Sequence, residues 1–398
     1  MTRKLNVVIC DDDSSRVVDW AIEIRELLGD LVEVNALGPL KFATALAALK
    51  LRRVTGTSPI SDEANIFDGA DVLILDSDLS PDPDAPDVDD PEGLIRLHLA
   101  SEMGGEVAHL ARVFTTAGAI VVINEGTQQP TFDLTLVGRN DGVADAYVSE
   151  EDIANPGLWS GSGPANGFRP WSWPRLDRLP STIEHCVSSV SLDQPCLEAL
   201  GIETSEAVEC LLEGQIESLG LASGSEVASM TLKDFARNRT FGLRNKEATT
   251  DENLLRVAVC GLRRWTERVL LPAQNLLISM PQLLQHNPWL LEDRDNPASW
   301  NNKDGRWWPE LPPIASQAHN TIASEFLGRN VWNVHELESR PAGERLSSAD
   351  LVFCEDVSEF RGISEAADFV SDIEGPFARR FVASLEDVEY MPRNRLAR

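Results

Sequence analysis

The sequence is short of positive charge. Its 398 residues include 35 lysines and arginines against 64 aspartates and glutamates, which gives a net charge of −29 at pH 7. Proteins that bind nucleic acids depend on clustered cations that release counterions from the phosphate backbone. The balance of charges therefore argues against a nucleic-acid partner.

Long apolar runs are also missing. No stretch approaches the ~20 apolar residues that a membrane-spanning helix needs. The opening MTRKLNVVICDDD has too short an apolar stretch for a secretion signal. The six cysteines are not clustered, which is typical of reduced thiols and not of a disulfide framework. We expect a cytoplasmic protein with no membrane partner.

The first third of the chain has a clear strand–helix alternation. Five short apolar runs predict buried strands, at about residues 5–10, 31–37, 72–75, 119–123 and 144–149. Buried strands that alternate with helices predict an α/β fold with a doubly wound parallel five-stranded sheet. The pattern is weak at residues 125–142, where the sequence has no helical periodicity.

The length of the chain predicts two or three domains. We assign the α/β domain to residues 1–155, a Trp/Pro/Gly-rich connector to 156–184, and a mostly α-helical (α+β) region to 185–398. The tryptophans of the connector indicate that it packs against another part of the protein. We recognise no family pattern in residues 185–398. Within them we predict a strand at 350–354 and helical stretches at 364–371 and 376–386.

Three acidic runs lie at or near the ends of predicted strands. They are VVICDDD at 7–13, ADVLILDSDLS at 70–80 and VADAYVSEED at 143–152. The carboxyl ends of parallel strands form the crevice of doubly wound folds, so these acids should meet there. The order and spacing of the runs resemble the acidic pocket of response-regulator receiver domains, over about residues 4–153.

The resemblance implies a role for each acidic position. It makes Asp76 the phosphoacceptor, at the end of the third strand of the sheet. It also implies a Mg²⁺ site in which Asp11 and Asp12 supply carboxylates, with Asp76 and Asp78 completing the set of candidate ligands.

The resemblance further implies three switch positions, Asn124, Tyr147 and Glu150. Glu150 stands where the family has a lysine. Phosphoryl transfer to a carboxylate needs positive charge around the transferring oxygens. A glutamate there adds repulsion, about 4 kcal/mol for unit charges ~4 Å apart at an effective dielectric near 20. We therefore favour a degenerate receiver, or pseudo-receiver, over an active one.

Two other interpretations of the acidic pocket stay open. The carboxylates are also explained as a relic that binds an adventitious cation. LILDSDLS matches the nucleophile motif of haloacid-dehalogenase-type enzymes too, in which Asp76 would attack and Asp78 would act as general acid. That motif normally lies on the first strand of its domain, which makes this a minority interpretation.

One stretch of the chain is basic. Residues 233–268 contain nine lysines and arginines against five acids. Solvated helix faces are the ordinary explanation, and a docking surface for an acidic partner is a sharper one. A third interpretation is a nucleic-acid patch centred on Arg263, Arg264 and Trp265. We take these three residues as the candidate binding set.

A second group of acids lies near the end of the chain. Glu355 and Asp356 follow a predicted strand, and Asp368 and Asp372 lie four apart on a predicted helix. They form a weaker candidate for a carboxylate site, since helix caps and solvated charges explain them as well.

These observations favour a regulatory or interaction protein of bacterial signalling type. Its degenerate receiver would act as a protein-docking or signalling module, with another protein or a second copy of the chain as partner. One alternative is an active, phospho-accepting response regulator with an output region that does not bind DNA, since no helix-turn-helix pattern is present. The other is a Mg²⁺-dependent phosphoryl-transfer or hydrolase enzyme that uses the aspartate cluster.

Overall fold

The structure is a computed structural model of the chain. It describes residues 3–55, 65–79, 93–99, 102–124, 130–134, 144–161, 167–238, 249–290, 300, 317–337, 351–370 and 379–391. Residues 56–63 and the Asp/Pro-rich residues 82–91, where the sequence predicts loops, lie outside these residues, as does Asp372.

A parallel sheet of five strands lies in the first third of the chain. Its strands are β1 (Leu5–Cys10), β2 (Val32–Leu37), β3 (Val72–Asp76), β4 (Ala119–Asn124) and, after a short β5 (Thr131–Asp133), β6 (Ala146–Ser149). The order across the sheet is β2-β1-β3-β4-β6. The register pairs Cys10 of β1 with Leu75 of β3. This confirms the predicted α/β fold with a parallel five-stranded sheet.

Four helices accompany these strands: α1 (Ser14–Leu28), α2 (Pro39–Thr55), α3 (Leu94–Leu99) and α4 (Gly104–Phe114). Successive strand side chains point to opposite faces of the sheet. On one face, Val7 and Ile9 of β1 share a core cluster with Trp20 and Ile24 of α1. On the other face, Val8 and Cys10 belong to a cluster that contains α2 and α4. Both faces of the sheet are therefore covered.

The connector is packed into the core. It begins with α5 (Pro156–Trp159) and runs into α6 (Leu179–Ser189). Trp159 and Trp173 lie in the cluster on the α1 side of the sheet, and Trp171 lies in the cluster on the α2 side. The expectation that these tryptophans are buried is confirmed.

Helices dominate the chain from residue 196 to residue 327. They are α7 (Cys196–Ala199), α8 (Thr204–Cys210), α9 (Glu213–Ser218), α10 (Gly224–Ser229), α11 (Leu232–Arg237), α12 (Asp251–Trp265), α13 (Leu271–Ala273), α14 (Met280–His286) and α15 (Thr321–Leu327). A π-helical turn, Thr266–Leu270, joins α12 to α13. Because α12 packs against both α4 and α6, the helical region is in direct contact with the sheet domain.

Short 3-10 turns complete the helical structure. They lie at Gly29–Leu31, Ile66–Gly69, Glu150–Asp152, Pro288–Leu290, Val334–Glu336 and Ile363–Glu365. None of the helices in the described part of the chain is long and apolar enough to cross a membrane.

The last part of the chain contains more strand than the sequence predicts. β7 (Leu277–Ser279) pairs with β8 (Val331–Asn333), and a mixed sheet has the order β10-β9-β12-β11. The strands of the mixed sheet are β9 (Leu351–Cys354), β10 (Glu359–Gly362), β11 (Ala366–Val370) and β12 (Arg379–Ala383). β13 (Glu389–Met391) lies parallel to β5.

The helices expected at 364–371 and 376–386 are therefore wrong. The described residues there form the antiparallel pair β11 and β12. Phe381, Val382 and Ala383 are consecutive and all buried, which suits a strand covered on both faces better than an amphipathic helix with one apolar side. Tertiary burial outweighs the helix-forming Ala and Glu residues around them.

Candidate functional site

The acidic pocket lies at the carboxyl ends of β1 and β3. Asp11 and Asp12 follow β1 directly, and Asp76 is the last residue of β3. Because β1 and β3 are adjacent, one carboxylate oxygen from each of these aspartates lies within 4.8 Å of the others. Asp11 and Asp76 are fully buried. The structure therefore brings these three residues together at this edge of the sheet, as the sequence predicts.

An arginine from α1 occupies the centre of this pocket. The Nη2 atom of Arg16 lies 3.1 Å from Asp11 Oδ1, 3.2 Å from Asp12 Oδ1 and 3.3 Å from Asp76 Oδ2. Its side chain is 28% exposed, and the guanidinium carbon lies 6.0 Å from the ring centroid of Trp20. The positive charge of the pocket thus comes from the first turn of α1, a source that the sequence analysis missed.

The local sequence explains why Arg16 reaches the pocket. Asp13 is the N-cap of α1, and its Oδ1 atom accepts hydrogen bonds from the Ser15 amide at 2.7 Å and the Ser15 hydroxyl at 2.6 Å. Such a cap fixes where the helix begins. Arg16 follows within the first turn, four residues after Asp12, which is a spacing that lets side chains on a helix meet.

Burial controls the protonation of Asp11. It raises the pKa of Asp11 to about 8, and the hydrogen bond with Asp12 acts in the same direction. The Asp13 amide, which donates to Asp11 Oδ1 at 3.0 Å, and the charge of Arg16 oppose this rise. Near neutral pH the raised pKa favours the protonated form of Asp11, because two buried like charges are costly side by side.

The N-terminus of α4 closes one side of Asp76. A Cβ atom placed on Gly104 would lie 1.9 Å from the backbone oxygen of Asp76, so only glycine fits at this contact. The Gly104 amide donates to the Ser77 carbonyl at 2.8 Å. The Ser77 amide in turn donates to Asp76 Oδ1 at 2.6 Å. These contacts fix the carboxylate of Asp76 between the strand end and the helix.

The side chain of Asp78 lies apart from the carboxylates of the other candidate ligands. Its side chain is exposed, and its backbone forms a bridge with Met103 just before α4. The cluster of potential metal ligands among the described residues consists of Asp11, Asp12 and Asp76. Asn124 ends β4 beside Ser149, and its side chain lies outside the described part of the structure.

Glu150, at the position of the family's lysine, points to α1. Its Oε1 atom accepts a hydrogen bond from Trp20 Nε1 at 3.1 Å. The pKa of Glu23 is raised, first by burial and then by the charge of Glu150. Glu150 therefore lies against α1, where its charge repels that of Glu23.

Tyr147 lies on the side of β6 that faces the helical region. The guanidinium carbon of Arg264 lies 6.0 Å from the centroid of its ring. Its position next to α12 places Tyr147 against the protein's own helical region. Arg112 of α4 bonds Asp145 at 2.5 Å just before β6, which ties the same edge to α4.

The candidate binding set on α12 is buried, so its assignment as a surface patch is wrong. Arg263 is 4% exposed, Arg264 5% and Trp265 1%. Arg263 donates to the carbonyls of Phe326 and Leu327 at the end of α15, and Arg264 donates to the carbonyl of Ala144. These arginines hold the helical region together and fasten it to the sheet.

Glu355 and Asp356 of the second acidic group accept hydrogen bonds that stabilise the mixed sheet. Both carboxylate oxygens of Glu355 accept hydrogen bonds from Arg380. Asp356 accepts from the Ala383 amide at 2.9 Å and from the Tyr390 hydroxyl. Burial raises the pKa of Asp356. The helix predicted to carry Asp368 is wrong, since Asp368 lies on strand β11.

No protein-family model matches this chain, and no curated protein is significantly similar to it. The pocket at the ends of β1 and β3 must therefore be interpreted from its geometry and from the sequence pattern alone.

Proposed function

We propose that this protein is a regulatory or interaction protein whose receiver-like domain works without phosphorylation. The observation that carries the proposal is Arg16, which lies within 3.3 Å of a carboxylate oxygen of Asp11, Asp12 and Asp76. The resemblance implies that, in receiver domains, Mg²⁺ and a lysine supply the positive charge of the acidic pocket. Here the chain supplies a cation of its own, and the pocket is a structural element.

The donor set itself suits a magnesium ion. Carboxylate oxygens are hard ligands of the type that Mg²⁺ prefers, and Asp11, Asp12 and Asp76 would hold it. Bound Mg²⁺ would supply positive charge for phosphoryl transfer. Arg16 stands among the same oxygens, so the ion and the guanidinium would compete for them. We therefore propose that Mg²⁺ binds weakly unless Arg16 is removed.

The position of α12 supports a further role for the receiver-like domain, in contacts with another region of the same chain. Receiver domains often dimerise through the face made by the fourth and fifth strands. Here Tyr147 of β6 faces Arg264, and α12 lies against α4. Tyr147 on this face therefore lies beside the protein's own helical region, and we propose that the two regions act as one unit toward an outside protein partner.

The two alternatives gain less support. A phosphodonor would have to reach a carboxylate that is fully buried and lies 3.3 Å from Arg16. In the haloacid-dehalogenase-type interpretation, Asp78 would act beside Asp76. Its exposed side chain and its separation from the cluster speak against that role.

The test is the intact mass of the protein after incubation with Mg²⁺ and acetyl phosphate. We expect no phosphoryl adduct on the wild type or on Asp76→Asn. An adduct on the wild type that Asp76→Asn removes would overturn the proposal and make this a working switch. Metal-dependent turnover of a phosphate ester, lost in Asp76→Asn, would support the enzyme alternative in its place.

Two further variants separate the effects of Arg16 and Glu150 on the phosphorylation of Asp76. Arg16→Gln frees the aspartates, and the double variant Arg16→Gln/Glu150→Lys also restores the lysine of the family. If Arg16 keeps the pocket inactive, the double variant should accept a phosphoryl group on Asp76 more readily than Glu150→Lys alone. Equal behaviour of these two variants would contradict the role given to Arg16.

A further inference from the structure

A cavity of about 70 Å³ lies where four parts of the chain meet. Tyr147 of β6 forms one wall, Trp171 and Trp173 of the connector form another, and Arg268 of the π-helical turn and Arg380 of β12 complete it. A smaller cavity of about 40 Å³ shares Trp171 and Arg380 with the first. The same guanidinium and indole therefore line both cavities.

Arg380 has a donor that the described residues leave unused. Its residue is 5% exposed, and its Nε and Nη2 atoms are bonded to Glu355. Its Nη1 atom is buried and has no hydrogen-bond partner among the residues that the structure describes. A buried donor without an acceptor is unfavourable by about 1–3 kcal/mol. An oxygen of a bound anion would remove this penalty.

Three acids line the larger cavity, Asp133, Asp145 and Glu267, and the last two are bonded to arginines outside its lining. Asp145 is bonded to Arg112 at 2.5 Å, and Glu267 is bonded to Arg329 at 3.0 Å. Arg264, which is 5% exposed, also lines the cavity and donates to the carbonyl of Ala144. The surroundings of Arg380 are thus rich in arginine, while two of the nearby carboxylates are neutralised by their own partners. This balance favours an anionic ligand.

The π-helical turn shapes the cavity. Residues 266–270 widen the helix between α12 and α13, and Glu267 and Arg268 line the cavity from this turn. Such turns are rare and occur often at functional sites. The turn is an observation independent of Arg380, and both point to the same space.

The volume limits the size of the ligand. An engineered apolar cavity of about 150 Å³ holds a benzene ring, so a cavity of about 70 Å³ is too small for one. It has room for a few water molecules or for a compact ligand of a few heavy atoms. The indole walls suit a short apolar portion, and the guanidinium of Arg380 suits a carboxylate or phosphate group.

We propose that this cavity binds a small oxyanion, either inorganic phosphate or a short branched carboxylate, with one oxygen on Nη1 of Arg380. The proposal goes beyond the regulatory function above, because it adds a ligand to the junction between the sheet domain and the helical region. Since the walls come from both regions, the ligand would stabilise their contact.

Calorimetric titration of the full chain tests the proposal with three probes at matched ionic strength. The probes are isobutyrate, inorganic phosphate and the neutral analogue isobutyramide. We expect saturable binding of isobutyrate or of phosphate, and which of the two binds identifies the source of the oxyanion. Failure of both to bind, or equal binding of isobutyramide, would overturn the proposal.

Variants then locate the site. The double variant Arg380→Gln/Glu355→Gln removes the guanidinium without leaving a buried carboxylate unpaired, and Arg268→Gln alters the more accessible wall. Each should weaken binding by at least about tenfold, as expected for loss of a charge-assisted hydrogen bond. Arg361→Gln on β10 is the matched control and should bind as the wild type does. Unchanged affinity in both Arg380→Gln/Glu355→Gln and Arg268→Gln would place the anion elsewhere and refute this site.

Discussion

Arg16 Nη2 lies 3.3 Å from Asp76 Oδ2, although β2 and α2 separate the two residues in the sequence. The contact joins the first turn of one helix to the end of a central strand. It also links the residue that the receiver pattern makes a phosphoacceptor to a cation that the pattern does not contain. The chemistry of the pocket depends on this pair.

Replacement of Arg16 by glutamine should lower the free energy of unfolding by about 1–3 kcal/mol, because three crowded carboxylates lose their cation. The value is below that of a fully buried pair, since the side chain is 28% exposed. Urea denaturation near neutral pH measures the loss. Arg3→Gln, whose side chain is 80% exposed in its pair with Asp71, is the control and should change little.

Magnesium should partly restore the stability of Arg16→Gln. A ligand that binds only the folded state stabilises it according to its concentration over its dissociation constant, and Asp11, Asp12 and Asp76 become available when the guanidinium is gone. The same salt should have a smaller effect on the wild type. Equal stabilisation of both proteins by Mg²⁺ would show that Arg16 does not compete for this site.

Asp11 should make stability depend on pH. Its pKa is raised by burial to about 8 in the folded protein, while an unfolded aspartate titrates near 3.8. Between these values the folded state binds more protons than the unfolded state, so stability falls as pH rises and levels off above about 8. Relative to the wild type, Asp11→Asn should therefore become progressively more stable between about pH 5 and about pH 8.

This comparison isolates Asp11 from other buried acids. Burial raises the pKa of Asp152 to about 6, which acts in the same direction in both proteins and cancels in their difference. A difference between wild type and Asp11→Asn that stays constant with pH would rule out the raised pKa.

Gly104→Ala should destabilise the protein by about 1–3 kcal/mol, the range for forcing an extra methyl group into a packed site. The new Cβ would lie 1.9 Å from the Asp76 carbonyl oxygen, and backbone would have to move. Gly105→Ala is a closely matched control, because nothing lies within 4 Å of its Cβ. It should be neutral or stabilising by up to about 1 kcal/mol. A comparison of the thermal unfolding temperatures of the two variants tests this prediction.

A thiol reagent should modify one cysteine of the native protein quickly. All six cysteines are free, and Cys210 is exposed while the other five are buried. Burial also raises the pKa of Cys186 to about 11 and that of Cys196 to about 12, which keeps them as unreactive thiols. Cys210→Ser should abolish the fast phase, and denaturant should expose the remaining thiols. Two or more fast thiols in the native wild type would contradict this packing.

The parallel sheet could be predicted because its strands are continuous apolar runs with acids at their ends. Asp11, Asp12 and Asp76 follow from the same rule, since adjacent parallel strands bring their carboxyl ends together. Arg16 could not be recognised in this way. An arginine in the first turn of a helix is usually solvated, and only the fold brings Asp76 to it.

The errors of prediction have a common physical origin. Arg263 and Arg264 were expected at the surface because charged side chains are seldom buried. They are buried because backbone carbonyls, those of Phe326, Leu327 and Ala144, accept their hydrogen bonds. The sequence predicts a helix where β12 lies. The residues that bury the two faces of β12 are far away along the chain, so the local sequence does not reveal this burial. Partners far along the chain leave no periodicity in the local sequence.

The pairing of β5 with β13 has a consequence for how the molecule is made. Thr131 and Phe132 lie beside Glu389 and Tyr390, and the rings of Phe132 and Tyr390 are 6.4 Å apart. During translation, residues 131–133 leave the ribosome long before the strand that lies alongside them exists. The two-stranded sheet of β5 and β13 can therefore form only after nearly all of the described chain has been synthesised.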